Sequence, residues 1–198
     1  MTGTRMSLVA CALALAATAA GCGIRATDVP VDAGPAPTRA ICDAASEDET
    51  PEPEGIEVYL LCGSHVESVE RPVALPAQSD DRVAIAKALL AELQTDPERD
   101  EQAAGFTSEV PATLEVSGPT AGDPEPALRL SEGPNELTAV ALVQIICTFA
   151  NSEHLGGNGQ TVMLGGPSAA PGSQPRMYAC TTAVRTSPEA APAPIGPP

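Results

Sequence analysis

The chain predicts an α+β fold: a single small domain with a mixed β-sheet and two helices on one face, in the order ββαββαβ plus a short C-terminal strand. Three observations carry the prediction. Short segments of period-two apolar alternation recur between two segments of helical periodicity. One helical segment is amphipathic while the other is apolar nearly all round, which calls for a sheet to bury it. Glycine and proline punctuate the chain between these segments.

Ile56 to Cys62 places Ile56, Val58, Leu60 and Cys62 on one face of a first strand. Gly63-Ser64 signals a turn, and His65 to Leu75 is the expected return strand of a hairpin. Ser79-Asp80-Asp81 then supplies acidic capping groups for a helix from Arg82 to Leu93. Ile85, Ala86, Leu89, Leu90 and Leu93 fall on its inner face, and Pro97 closes it. Thr113 to Ser117 and Ala127 to Ser131 alternate as strands. Pro134-Asn135-Glu136 opens a second helix, Leu137 to Ala150. Thr161 to Leu164 and Met177 to Val184 complete the sheet.

This unit, residues 55–185, has a different composition from its flanks. Residues 1–21 comprise a short stretch with one charge, Arg5, and an uncharged Ala- and Leu-rich run. A bilayer-spanning helix needs about 20 apolar residues, so the shorter run predicts an export signal. It ends Ala19-Ala20-Gly21-Cys22, which resembles the bacterial lipobox, although Ala19 stands where Leu is usual. The resemblance implies cleavage before Cys22 and lipidation of that residue, anchoring the chain to the outer face of the cytoplasmic membrane. Residues 22–54 have no hydrophobic periodicity and hold the acid- and proline-rich run Ser46 to Glu54, predicting a disordered tether. Residues 186–198 are expected to form a disordered Pro- and Ala-rich tail.

Charge and composition restrict the partners. The 198 residues carry a formal charge of -16, and loss of Arg5 with the signal would make it -17. Nucleic acid is therefore not an expected partner, because phosphate recognition rests on clustered Lys and Arg. With no Trp, two Tyr and two Phe, the chain also has few rings to stack on bases or sugars.

Several of its sequence words resemble the GerMN domain, found in bacterial sporulation and germination proteins and in actinobacterial lipoproteins. They are Val58-Tyr59-Leu60, Glu70-Arg71-Pro72-Val73 and Ala88-Leu89-Leu90, then the loop Gly105 to Pro111 and the helical segment Ala141 to Thr148. Phe149 stands where that family commonly has Leu, and the cysteines are not a family feature. The resemblance covers most of residues 55–185. It implies a noncatalytic extracytoplasmic module that binds an envelope protein or cell-wall component, with no cofactor and no catalytic residues. The possible interaction surface is then Gly105, Phe106, Ser108, Pro111 and Gln144. Gln144 has a second reading, as a polar residue in an apolar helix that bonds the backbone of an adjacent loop.

Four cysteines remain beyond Cys11 and Cys22, an even number that favours two disulfides in an exported chain. Spacing leaves three connectivities open. The expected one joins Cys147 to Cys180 and Cys42 to Cys62. An enzyme is the competing class, either a small envelope hydrolase or a metal-dependent enzyme. Ser64-His65 with Asp80 or Asp81 holds the residue types of a hydrolase, without a Gly-x-Ser-x-Gly elbow. Cys62 and His65 have the spacing of half a zinc site, and His154, the other histidine, has no cysteine pair beside it. The glycines of Gly156 to Gln160 lack the Gly-Lys-Ser/Thr that would make a phosphate loop.

Overall fold

A computed structural model describes residue 42 and residues 55–72, 81–156, 160–190 and 192–196. The predicted signal, Cys22 and the tether other than Cys42 lie outside the described residues, as do residues 73–80 with Asp80.

The hairpin forms as its alternation requires. β1 (Ile56–Cys62) and β2 (His65–Arg71) pair antiparallel from Cys62↔His65 to Ile56↔Arg71. Gly63 sits in the turn at φ 63°, a left-handed conformation that glycine adopts without steric cost. α1 (Arg82–Gln94) starts at Asp81, whose carboxylate accepts the Val83 and Ala84 N–H groups at 3.1 and 3.0 Å. The five apolar residues expected on its inner face are its buried residues. Contrary to expectation, α1 is followed by a second, short helix, α2 (Arg99–Ala103), held by a capping box between Glu98 and Glu101.

β3 (Phe106–Thr107) extends the hairpin on the β1 side, giving a first sheet in the order β2-β1-β3. β4 (Val116–Ser117) and β5 (Leu128–Leu130) are shorter than the alternation suggests. α3 (Ala139–Asn151) begins two residues after its expected start, where the Thr138 hydroxyl accepts the Ala141 N–H at 3.1 Å. Every residue from Val140 to Ala150 is buried, as an all-round apolar helix demands. β6 (Thr161–Gly165) returns parallel to β5, and β7 (Arg176–Ala179) pairs antiparallel to β6. The second sheet has the order β4-β5-β6-β7.

The α+β class therefore holds, but the single mixed sheet is corrected to two sheets sharing one core. The physical reason lies at β1. In its antiparallel ladder with β2, Tyr59 directs its N–H and C=O away from the partner strand, toward β3. The Leu61↔Thr107 register would bring Glu109 opposite Tyr59 next. The Gln144 side chain stands between them instead: its Oε1 accepts the Glu109 N–H at 2.9 Å and its Nε2 donates to the Tyr59 carbonyl at 3.2 Å. One turn along α3, the Thr148 hydroxyl accepts the Tyr59 N–H at 3.0 Å. Helix side chains thus close the edge of β1 where a further strand would have joined the two sheets.

The expected last strand, Met177 to Val184, is also corrected. It ends at Ala179, and the Thr181 hydroxyl caps a short helix, α4 (Thr182–Thr186), by accepting the Val184 N–H at 3.2 Å. In the segment after residue 186, Pro188 and Pro192 are buried, and Ile195 bridges to Met177.

Both expected disulfides are present, Cys42–Cys62 and Cys147–Cys180, at S–S distances of 2.11 and 2.04 Å. The second spans 33 residues and ties α3 to the residue just past β7. Replacing both Cys147 and Cys180 by alanine is expected to lower stability by about 3 to 4 kcal/mol, the loop entropy returned to the unfolded chain. Urea unfolding of the two proteins measures it.

Candidate functional site

α1 and the β4 edge of the second sheet, with the adjoining part of β5, border a groove of about 660 Å³. Lys87, Leu90 and Gln94 line its helical side, Glu115, Ser117 and Ser131 its sheet side, and Pro167 and Ser168 its far rim. Period-two geometry accounts for the sheet side: Val116 points to the core, so Glu115 and Ser117 point out. The Gln94 amide holds the wall by donating to the Pro111 and Leu114 carbonyls at 2.8 and 2.7 Å.

Arg129 forms the floor. Its guanidinium meets Asp123 in two hydrogen bonds of 2.6 and 2.7 Å and donates to the Gly166 carbonyl at 2.5 Å and that of Ser173 at 3.3 Å. The Thr120 N–H and hydroxyl also donate to Asp123, at 2.7 and 2.9 Å. The hydrogen bonds from Arg129, and then that from the Thr120 N–H, hold the Asp123 carboxyl well below the usual carboxylate range. This pair fastens the loop before β5 to the loop after β6, and its charge is internally neutralised. Among the described residues, the groove's ionic side chains without a hydrogen-bond or ion-pair partner are those of Lys87, the chain's sole lysine, and Glu115, both exposed. With the Ser131 and Ser168 hydroxyls, they equip it for ionic and hydrogen-bonding recognition.

A folded-state acidity stronger than the ordinary value near pH 4 makes Asp123 stabilising above that pH, and the contribution is lost as pH falls through the depressed value. Asp123→Asn is therefore expected to flatten the fall in stability below about pH 4, seen as a smaller drop in melting temperature than the parent shows.

The residues expected to form an interaction surface divide. Gly105, at φ 90°, and the half-buried Ser108 and Pro111 lie along the loop around β3. The Ser108 hydroxyl donates to the Leu93 carbonyl at 2.5 Å, tying this loop to the end of α1. Phe106 is 3% exposed and Gln144 is 0% exposed, so the expectation that these two face a partner is corrected. The alternative reading of Gln144, as a bond to the adjacent loop, describes what it does. The loop presents Thr107 and Glu109 to solvent instead, with Glu109 accepting the Thr138 hydroxyl at 2.9 Å.

Of the residues weighed for an enzyme, Cys62 and Asp81 are committed to the fold. Cys62 is bonded to Cys42, and His65 Nε2 lies 3.7 Å from the Glu67 carboxylate. Asp81 caps α1, while the His154 carbonyl accepts from Arg82 at 2.6 Å. Among the described residues, no group of three His, Cys, Asp or Glu is placed to hold a metal ion.

Sequence reasoning missed Arg71, which is 3% exposed. It makes two hydrogen bonds to Glu101, at 3.0 and 2.7 Å, and donates to the Glu92 carbonyl and carboxylate at 2.6 and 3.2 Å. Burial raises the Glu101 carboxyl, but Arg71 and the Glu98 N–H outweigh it and the net direction is down. The available signal was its phase: Arg71 shares a face with Val69, opposite Ile56 and Val58 on the core side of the hairpin.

No family model, curated protein or solved structure matches the chain.

Proposed function

We propose that this chain is an exported lipoprotein, anchored through a lipid on Cys22 to the outer face of the cytoplasmic membrane. Its folded unit is a noncatalytic, GerMN-like module that binds an envelope protein or cell-wall component. The observation that carries the reading is the cysteine chemistry. All four cysteines beyond Cys22 close into two bonds, one within the folded unit and one tying Cys42 to it, as an oxidising compartment permits and a reducing one does not. The groove beside Lys87 is the concave surface that the module offers.

Metabolic labelling with a palmitate analogue tests the anchor. Label is expected on the parent chain and absent from Cys22→Ala, and label persisting on that variant would refute lipidation there. Recovery of partners from envelope extracts tests the module. Lys87→Glu is expected to reduce recovery, whereas His65→Ala and His154→Ala leave it unchanged.

A further inference from the structure

β4 ends the second sheet, and the edge it leaves unpaired borders the groove. The Glu115 carbonyl accepts the Ser131 N–H at 2.9 Å, and Ser131 stands opposite Glu115 when the β4–β5 register is continued. In an antiparallel ladder such bonded pairs alternate with pairs that share no bond, so Val116 turns its N–H and C=O away from β5, to the edge. Val116 lines the groove and is 3% exposed, and among the described residues neither of these backbone groups has a hydrogen-bond partner. Backbone groups in so buried a residue are nearly always paired.

α1 runs antiparallel to β4 along this edge. Near its start, a Cβ on Gly118 would lie 3.1 Å from the Val83 side chain; at its end, the Gln94 amide donates to the Leu114 carbonyl at 2.7 Å. Lys87 lies seven residues before Gln94, about 10 Å along the helix. Glu115 is one residue past Leu114, about 3.4 Å along the strand. The Lys87 stem therefore lies toward Gly118 and that of Glu115 toward Leu114, on either side of the Val116 backbone and about 7 Å apart along the groove. No ion pair among the described residues includes either side chain.

We propose that the groove binds a tripeptide with both ends free, extended and parallel to β4, its ammonium at Glu115 and its carboxylate at Lys87. The two charges fix the direction, and Val116 fixes the register. In parallel pairing a residue bonds the two neighbours of the residue beside it, so the Val116 N–H donates to the carbonyl of the peptide's first residue and the Val116 carbonyl accepts the N–H of the third. Two steps of extended chain cover the same distance of about 7 Å. The volume of about 660 Å³ is that of a small-ligand pocket, for which about 300 to 1,000 Å³ is usual. An internal segment of a protein carries neither terminal charge, and a longer peptide sets its second charge beyond the partner. The inference rests on the groove being the module's binding surface, and it narrows the ligand to a short peptide with free ends.

The test measures binding of tri-alanine to the full chain, against tri-alanine amide, N-acetyl-tri-alanine and tri-alanine N-methylated on its third residue. The parent is expected to bind tri-alanine at least about tenfold more tightly than each of the other three. Lys87→Gln is expected to bind tri-alanine and its amide alike, and Glu115→Gln to bind tri-alanine and its N-acetyl form alike; both replaced side chains are exposed. No binding of tri-alanine by the parent, equal binding of free and blocked peptides, or discrimination unchanged in the two variants would overturn the proposal. If tri-alanine fails while Lys87→Glu still reduces partner recovery from envelope extracts, the groove is the binding surface and its ligand is not a free-ended tripeptide. If recovery is unchanged as well, the groove is not the module's binding surface.

Discussion

Replacing Gln144 by leucine is expected to lower the stability of the folded unit by about 3 to 5 kcal/mol. Leucine fills a similar volume and suits an apolar helix, so the loss is one of hydrogen bonding. The amide serves three backbone groups: the Glu109 N–H, the Tyr59 carbonyl and the Thr107 carbonyl, the last at 3.3 Å. Each buried polar group left without a partner costs about 1 to 3 kcal/mol. Thr148→Val removes a single partner, that of the Tyr59 N–H, and is expected to cost about 1 to 3 kcal/mol. Urea unfolding of both variants measures these losses. A Gln144→Leu protein within about 0.5 kcal/mol of the parent, the range of an ordinary surface substitution, would show that the amide is not what closes the β1 edge.

Arg71→Met is the second large effect, expected at about 3 to 5 kcal/mol because it leaves the Glu101 carboxylate buried with its charge uncompensated. The double change Arg71→Met with Glu101→Leu is expected to recover much of that loss, since an apolar pair replaces the ionic one at little net cost. The pH dependence separates this cause from lost packing. In the parent, Arg71 holds the Glu101 carboxyl below its ordinary value, so the pair stabilises above that value and weakens as pH falls through the depressed one. In the single variant the desolvated carboxyl titrates above its ordinary value, so the variant's deficit should shrink as pH falls toward 4. A deficit constant between about pH 7 and 4 would mean that the methionine packs badly and that charge is not the cause.

Legibility in the sequence followed the range of the interactions. The faces of β1 and α1 are local periodicities, and both emerged with the expected residues inside. The polar position in α3 was visible because Gln144 interrupts an apolar run, although its partners lie 35 and 85 residues away. The short elements α2, β3 and α4 were hidden because two to five residues carry too little periodicity to register. The division into two sheets was hidden for another reason. Alternation marks the faces of a strand and says nothing of which edge meets a strand and which meets the side chain of a helix. In the candidate groove, Arg129 lies between Leu128 and Leu130, an alternation that assigns it to the solvent face, yet all three are buried. Its neutralising partner, Asp123, sits in a loop of glycine and proline that has no pattern at all.

The Cys42–Cys62 bond also decides where mechanical load enters the fold. For a chain held by a lipid on Cys22, tension travels along at most 20 residues, about 70 Å when fully extended, before it reaches Cys42. There it crosses through sulfur to Cys62, the turn end of β1, and bypasses residues 43–54. With the bond reduced, the pull would arrive at Gly55 and open the β1–β2 ladder from Ile56↔Arg71, one pair after another, like a zipper. With the bond formed, the first pair of that zipper lies outside the path of the force.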